Sequence, residues 1–225
     1  MKKLTRIKSN EFLQGFAETG SGADNANGKT LIVGAGSSRY EHIFPGCLHT
    51  DIDPSAKTDM VADAEALPFP ENSFDTVVCP AVLSHVRHPQ KAVDEMHRVL
   101  KPGGRIILTT AFIFPLNSHP VDYWRITENG LQLLFSNGWN IETFESDSKP
   151  FYTIAVLMQR IIFQTDVRGG KFTKGLLYGA FLIISKLDFL IKKQYGDIGR
   201  SREAKGFLTG GWLFSAHKVK EHKNN

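Results

Sequence analysis

Cysteine is scarce in this 225-residue chain: only Cys47 and Cys79 occur, each in or beside an apolar run. Their spacing matches neither a metal knuckle nor a redox pair, which excludes a disulfide-stapled scaffold and predicts two buried thiols in a reducing compartment. The eight histidines are scattered without HExxH or comparable spacing, so no metal site is expected. Long apolar runs are missing as well. Arg160 breaks one candidate, and Lys174, Lys186 and Asp188 break another, which argues against a bilayer span. The opening MKKLTRIKSNEF has early lysines but no apolar stretch behind them, and therefore predicts no secretory signal and a cytoplasmic location.

Acidic residues are short in the last third. Residues 1–150 hold 14 Lys and Arg against 18 Asp and Glu, whereas residues 151–225 hold 13 against 5, a local net charge of +8. These bases sit among apolar runs and lack the aromatic interleaving of a nucleic-acid platform, so no nucleic-acid partner is expected. An anionic membrane surface at the cytoplasmic face, an anionic substrate or a solvated basic face fits the same charges.

What the chain does have is the stretch from Lys29 to Asp63, KTLIVGAGSSRYEHIFPGCLHTDIDPSAKTDMVAD. Thr30 to Val33 is a β-rich run. Gly34 and Gly36 follow where the backbone turns sharply and a ligand can approach it without a Cβ in the way. Asp51 stands at the end of a second strand, where an acceptor-only carboxylate suits a ribose diol. A strand-to-helix turn without any ligand would show the same GxG.

The remaining patterns extend an open, parallel α/β sheet. A lead-in helix over 10–18 and a Gly/Asn-rich linker precede it, and a short helix over 37–43 is stopped by Pro45 and Gly46. Strands are predicted at 48–52, 60–62 and 74–79, the last suited to a position buried on both faces. An amphipathic helix over 90–100 ends at a KPGG turn, a strand covers 105–110, Thr127 caps a further helix, and 141–144 forms another strand.

The ordered pieces VGAGSS, TDID, VADAEALPFPENSFDTVVC, EMHRVLKPGG and FLTGGWLFSAHKV resemble the class I S-adenosylmethionine-dependent methyltransferases, of the small-molecule type with a VLKPGG turn. The resemblance covers about 29–145 and the terminal strand. It implies a Rossmann-like, mostly parallel seven-stranded sheet of order 3-2-1-4-5-7-6, with S-adenosylmethionine as cofactor. The family's sites fall here on Gly34, Ala35, Gly36, Asp51, Ile52, Asp63 and Ala64, with Ala81 and Val82 as small walls near the sulfonium. Two positions depart from the pattern: Ile32 stands where an acid is frequent, and Ser38 replaces a third glycine.

Methyl transfer asks chiefly for in-line approach in a site closed to water, so no triad or carboxylate pair is expected. His85 in CPAVLSHVRHP and His119 and Tyr123 in FIFPLNSHPVDYWRIT are the catalytic candidates, with His88 second to them. Arg125 either meets an anionic substrate or pairs with Asp122 or Glu128. The chain divides into a lead-in and linker (1–28), the sheet domain (29–150 with 208–219), and a helical insertion (151–207) that serves as cap, dimer face or membrane contact. The expected function is methylation, on oxygen or nitrogen, of a small or lipid-linked metabolite. A nicotinamide-dependent oxidoreductase and a non-catalytic binding module of the same fold are the alternatives.

Overall fold

The computed structural model describes residues 7–18, 28–117, 121–204 and 206–220. Its sheet contains seven strands: β1 Thr30–Val33, β2 Leu48–Asp51, β3 Met60–Val61, β4 Phe74–Pro80, β5 Leu100–Ala111, β6 Trp139–Ser146 and β7 Gly211–Lys218. They lie in the order β3-β2-β1-β4-β5-β7-β6. The pairs from β3 to β5 are parallel, and β7 runs antiparallel to both β5 and β6. The strand order expected from the family resemblance is thus the one observed.

The central strands are apolar at nearly every position because alternate side chains enter two different cores. Leu31, Val33, Val77, Cys79, Ile106 and Leu108 face α2 (Pro89–Val99) and α3 (Glu128–Leu134). Ile32, Val78 and Ile107 face the other way, toward Leu13 of α1 (Ile7–Glu18), Tyr40 and Ile43. Burial in these cores raises the Cys47 thiol to about 11 and the Cys79 thiol to about 12, which keeps both protonated and inert near neutrality.

Two expected elements differ. Residues 37–43 form turns instead of a helix: the N–H groups of Ile43 and Phe44 both reach the Tyr40 carbonyl, and the segment stops there. With Pro45 and Gly46 so close, too few residues remain to offset helix nucleation. The KPGG segment is a bulge inside β5. Phe74 opposes Leu100 and Thr76 opposes Arg105, so a two-residue step on β4 meets a five-residue step on β5. Gly103 takes φ +79°, and a Cβ on Gly104 would lie 2.9 Å from the Lys101 carbonyl and 3.0 Å from that of Asp75.

Both ends of α2 are capped from distant parts of the chain. Glu65 Oε1 accepts the N–H groups of Arg87 and His88 at 2.8 and 2.9 Å, and Lys218 Nζ donates to the carbonyls of His97 and Leu100 at 3.0 and 2.8 Å. On its flank, Glu95 accepts from Leu67 N–H while Arg98 donates to the Leu67 and Phe69 carbonyls.

The insertion forms α4 (Pro150–Gln164) and α5 (Gly170–Ile184), which pack on each other, and a 3-10 turn over Leu187–Leu190. The second of these helices ends at Ile184, where the Ser185 N–H reaches the Phe181 carbonyl at 2.9 Å. Lys149 gives α4 no side-chain cap. Asp188 supplies it from the 3-10 turn, accepting the N–H groups of Phe151 and Tyr152 at 3.0 and 3.2 Å. Asp188→Ala should cost about 1 kcal/mol and speed exchange of those two amides specifically, measured by hydrogen exchange. Unchanged protection there would show that the cap contributes nothing.

Candidate cofactor and acceptor site

Strands β1 and β4 are neighbours whose following segments lead away from each other, and the crevice between their carboxyl ends opens into a cavity of about 1050 Å³. Gly34 has φ +69°, and a Cβ there would sit 2.1 Å from Val82 Cγ2, so only glycine lets the two turns approach. Gly36, at φ +57°, has nothing within 4 Å of where a Cβ would project, leaving bare backbone on the cavity wall. The Asp51 carboxylate is held by the N–H groups of Gly36 at 2.7 Å and Asp53 at 2.9 Å, and keeps further lone pairs for a diol. Ile52 beside it is 54% exposed, while Ala64 is buried. Asp63 is oriented by the Glu65 N–H at 2.8 Å. Ala81 holds the left-handed φ of +60°, a strained choice for a non-glycine residue, with its N–H bonded to the Thr109 carbonyl.

All nine positions that the resemblance assigns to the cofactor, namely Gly34, Ala35, Gly36, Asp51, Ile52, Asp63, Ala64, Ala81 and Val82, line this one cavity. Ile32 does not. It is fully buried on the α1 side of the sheet.

The opposite wall comes from the loops after β4 and β5. His85 lines it, and its Nδ1 lies 2.6 Å from the Val121 carbonyl. A carbonyl only accepts, so Nδ1 carries the proton and, in the neutral ring, Nε2 is the basic nitrogen. Tyr123 also lines the cavity, with its backbone N–H on the Ser84 carbonyl and its side chain hydrogen-bonded to Arg87. His88, the secondary candidate, is paired with Glu65 at 2.8 Å. His119 lies outside the described residues.

Arg125 is a structural clamp. Two of its N–H groups meet the two Asp122 oxygens at 2.6 Å each, and the other three go to the carbonyls of Phe114, Pro115 and Trp124. With all five donors engaged, the pairing with Asp122 is the alternative realised, and none is left for an anionic substrate. Hydrogen bonding from Arg125 holds the Asp122 carboxyl at about 2, against an ordinary 3.8. Trp124 pins the same loop through Nε1 to the Val86 carbonyl at 2.9 Å.

Sequence reasoning passed over three cavity residues. Thr110 reads as an ordinary β-strand residue, yet its hydroxyl is buried and has no partner among the described residues. Asp147, just past the end of β6, reaches the cavity from beyond β7, held by the Gly211 N–H at 2.9 Å and the Thr209 hydroxyl at 3.0 Å. Arg160 of α4, which reads as a mere interruption of an apolar run, stacks 4.9 Å over the Phe114 ring. Among the described residues, no group of three or more His, Cys, Asp or Glu has the geometry of a metal site.

Residues 31–108 match the model of a family described as a methyltransferase domain. The ubiquinone/menaquinone biosynthesis C-methyltransferase UbiE of Pseudomonas fluorescens is 46% identical over 69 residues, which is 30% of this chain and 27% of that protein. The protein of the same name from Burkholderia mallei is 33% identical over 102 residues, covering 36% of this chain and 42% of its own. The match thus spans less than half the length of these curated relatives. Among solved structures, the [4+2]-cyclase SpnF superposes with TM-score 0.59 at 17% identity, covering 92% of this chain and 81% of that one. A putative methyltransferase from Bacillus halodurans C-125 gives 0.57 at 18%, covering 92% and 99%. At such identities these two establish the fold alone.

The donor that the family uses fits what the structure presents. The bare backbone at Gly36 and the oriented Asp51 suit an adenosine, Ile52 and Ala64 offer apolar surface to its base, and the orphaned Thr110 hydroxyl awaits a polar group. The chain thus has the fold of these solved structures, and the segment that matches the methyltransferase-domain model, residues 31–108, carries the glycine turn and Asp51 of this cavity.

Proposed function

We propose that the protein transfers a methyl group from S-adenosylmethionine to a small or lipid-linked metabolite. The observation that carries this reading is one cavity with two chemically different walls: the Gly34–Asp51–Asp63 side suits a nucleoside, and His85, Tyr123 and Thr110 lie on the side of β4 and β5. When bound, the cofactor supplies an activated methyl on a sulfonium, so the protein's part is binding, alignment and exclusion of water. Asp51 would hold the ribose hydroxyls, and Ala81 and Val82 would leave room at the reacting centre. His85 would accept a proton at Nε2 from an oxygen acceptor, while a neutral amine would need no such base.

The segment that matches the family model, residues 31–108, is the cofactor half of the sheet, so that match bears on the donor more than on the acceptor. Acceptor choice falls to the loop after β5 and to α4, which lie outside the family match. Tyr123 meets Arg87, which speaks against the Tyr/Lys pair that a nicotinamide enzyme would carry. The open cavity likewise speaks against a non-catalytic relative with a blocked pocket.

Calorimetric titration with S-adenosylhomocysteine should give micromolar binding, weakened about 10- to 100-fold by Asp51→Ala through loss of charge-assisted hydrogen bonds. No detectable binding at millimolar ligand would overturn the proposal. Thr110→Val should leave the melting temperature of the free protein unchanged or higher, since an unpaired buried hydroxyl is removed, yet lower ligand affinity or turnover. With the acceptor in hand, His85→Ala should reduce kcat by about 10²-fold and change cofactor affinity only a few-fold if oxygen is methylated. Full activity of that variant would limit the protein's role to positioning.

The loop that carries Tyr123 also has a pH limit. A carboxyl depressed on folding stabilises fully above its ordinary value and ceases to do so as pH falls through its folded value. The contribution of Asp122 should therefore fade between 3.8 and about 2. Thermal melts of Asp122→Asn should be lower at neutral pH and lack this acid-side decline.

A further inference from the structure

Helix α5 presents a face that the fold leaves uncovered. Phe172, Leu176 and Ile183 are 76%, 62% and 66% exposed, and with Gly179 they fall within an arc of about 60° on a 3.6-residue helix. The opposite side carries Phe181, fully buried, and α5 packs on α4. Large apolar side chains thus stand on both the packed and the outward side of α5, which a helix solvated on its outer face does not carry. The chain just beyond it exposes Phe189 and Leu190 as well, and α4 exposes Ile161 and Phe163. Single exposed apolar residues are commonplace; a recurring stripe indicates a binding surface.

The charges around this stripe select the occupant. Residues 160–203 hold nine Lys and Arg against four Asp and Glu. Three of those acids are occupied locally: Asp188 caps α4, Asp197 closes its own turn with Ser201 and Arg202, and Glu203 pairs with Lys193. Arg168, Lys171, Lys186 and Lys192 are exposed, with Lys171 at one end of the stripe and Lys186 just past the other. A second copy would bring the same cationic rim against itself. No residue of α5 lines the cavity, whereas α4 contributes Arg160, so a cap over the site would account for α4 and leave the outward face of α5 unexplained. No described helix is long and apolar enough to cross a membrane.

We propose that the outward face of α5 seats the protein on an anionic lipid surface, with Phe172, Leu176 and Ile183 at the acyl boundary and the flanking bases among headgroup phosphates. This contact does not depend on the methyl-transfer reading. If that reading holds, the seat sets the α4 wall of the cavity close to a lipid-linked acceptor.

Co-sedimentation of the full chain with vesicles tests the seat, using phosphatidylcholine alone or mixed with phosphatidylglycerol, at low and high salt. The wild type should pellet with the anionic vesicles at low salt and lose most of that binding at high salt, as exposed charges are screened. Leu176→Ser should weaken binding about tenfold, and Lys171→Ala with Lys186→Ala by a similar factor or more. Both sets change exposed side chains and should keep the wild-type circular dichroism and melting temperature. Absence of binding, equal binding to neutral vesicles, or a salt-stable dimer in sedimentation that Leu176→Ser abolishes would overturn the proposal, the last by assigning the face to a second copy. S-adenosylhomocysteine binding by Leu176→Ser should be unchanged, which keeps failure of the seat distinct from failure of the active site.

Discussion

Gly34 against Val82 is the contact on which the site depends. The sheet reverses its winding between β1 and β4, and the two turns that follow must approach each other to close the floor of the cavity. A single methyl group at position 34 would overlap Val82, and the same residue needs a positive φ, so backbone and packing demand glycine independently. Everything on the cofactor side is placed relative to that turn. Gly36 donates to Asp51, Asp51 in turn orients Asp53, and Ala35 donates to the Thr50 carbonyl at 3.0 Å, locking the turn to β2.

Charged residues in the family-like segment and in the loop after β5 serve as scaffold. Glu95 and Arg98 of the EMHRVLKPGG segment hold the ALPFPENSF loop by its backbone, and the glycines there make a bulge that lets β5 begin directly at the end of α2. Asp122 and Arg125 of the DYWR run satisfy one another and three loop carbonyls. Such ion pairs define one loop geometry more than they add stability, because both charges must be desolvated. Tyr123 and His85 are positioned as a result of this geometry, through Ser84 and Val121.

At the β7–β6 end of the cavity, a polar joint ties the helical insertion to the strands. Asp147 accepts from Gly211 N–H and from the hydroxyls of Thr209 and Ser148, and Ser148 continues to Thr153 of α4. Buried polar groups of this kind are tolerated only when their partners are all in place. The joint fixes the start of α4 beside the reversed strand β7, and through Arg160 that helix becomes part of the cavity wall.

The sequence alone determined the strands of the sheet's centre, the glycine turn after β1 and Thr127 as a helix cap, where Gly130 N–H reaches the Thr127 hydroxyl at 3.1 Å. Those are local properties: apolar periodicity, glycine at positive φ, a hydroxyl at a helix start. The strand order came from family resemblance, since no local pattern specifies which strands pair. Only the tertiary structure decided that Asp188 caps α4, that Glu65 and Lys218 cap α2, that Arg125 belongs to Asp122, and that the buried Thr110 hydroxyl has no partner among the described residues. Each of these rests on which distant donor or acceptor the fold brings within about 3 Å. It also decided that α5 keeps an apolar face outside: the composition of a helix is written in its residues, but which side remains uncovered depends on what packs against it.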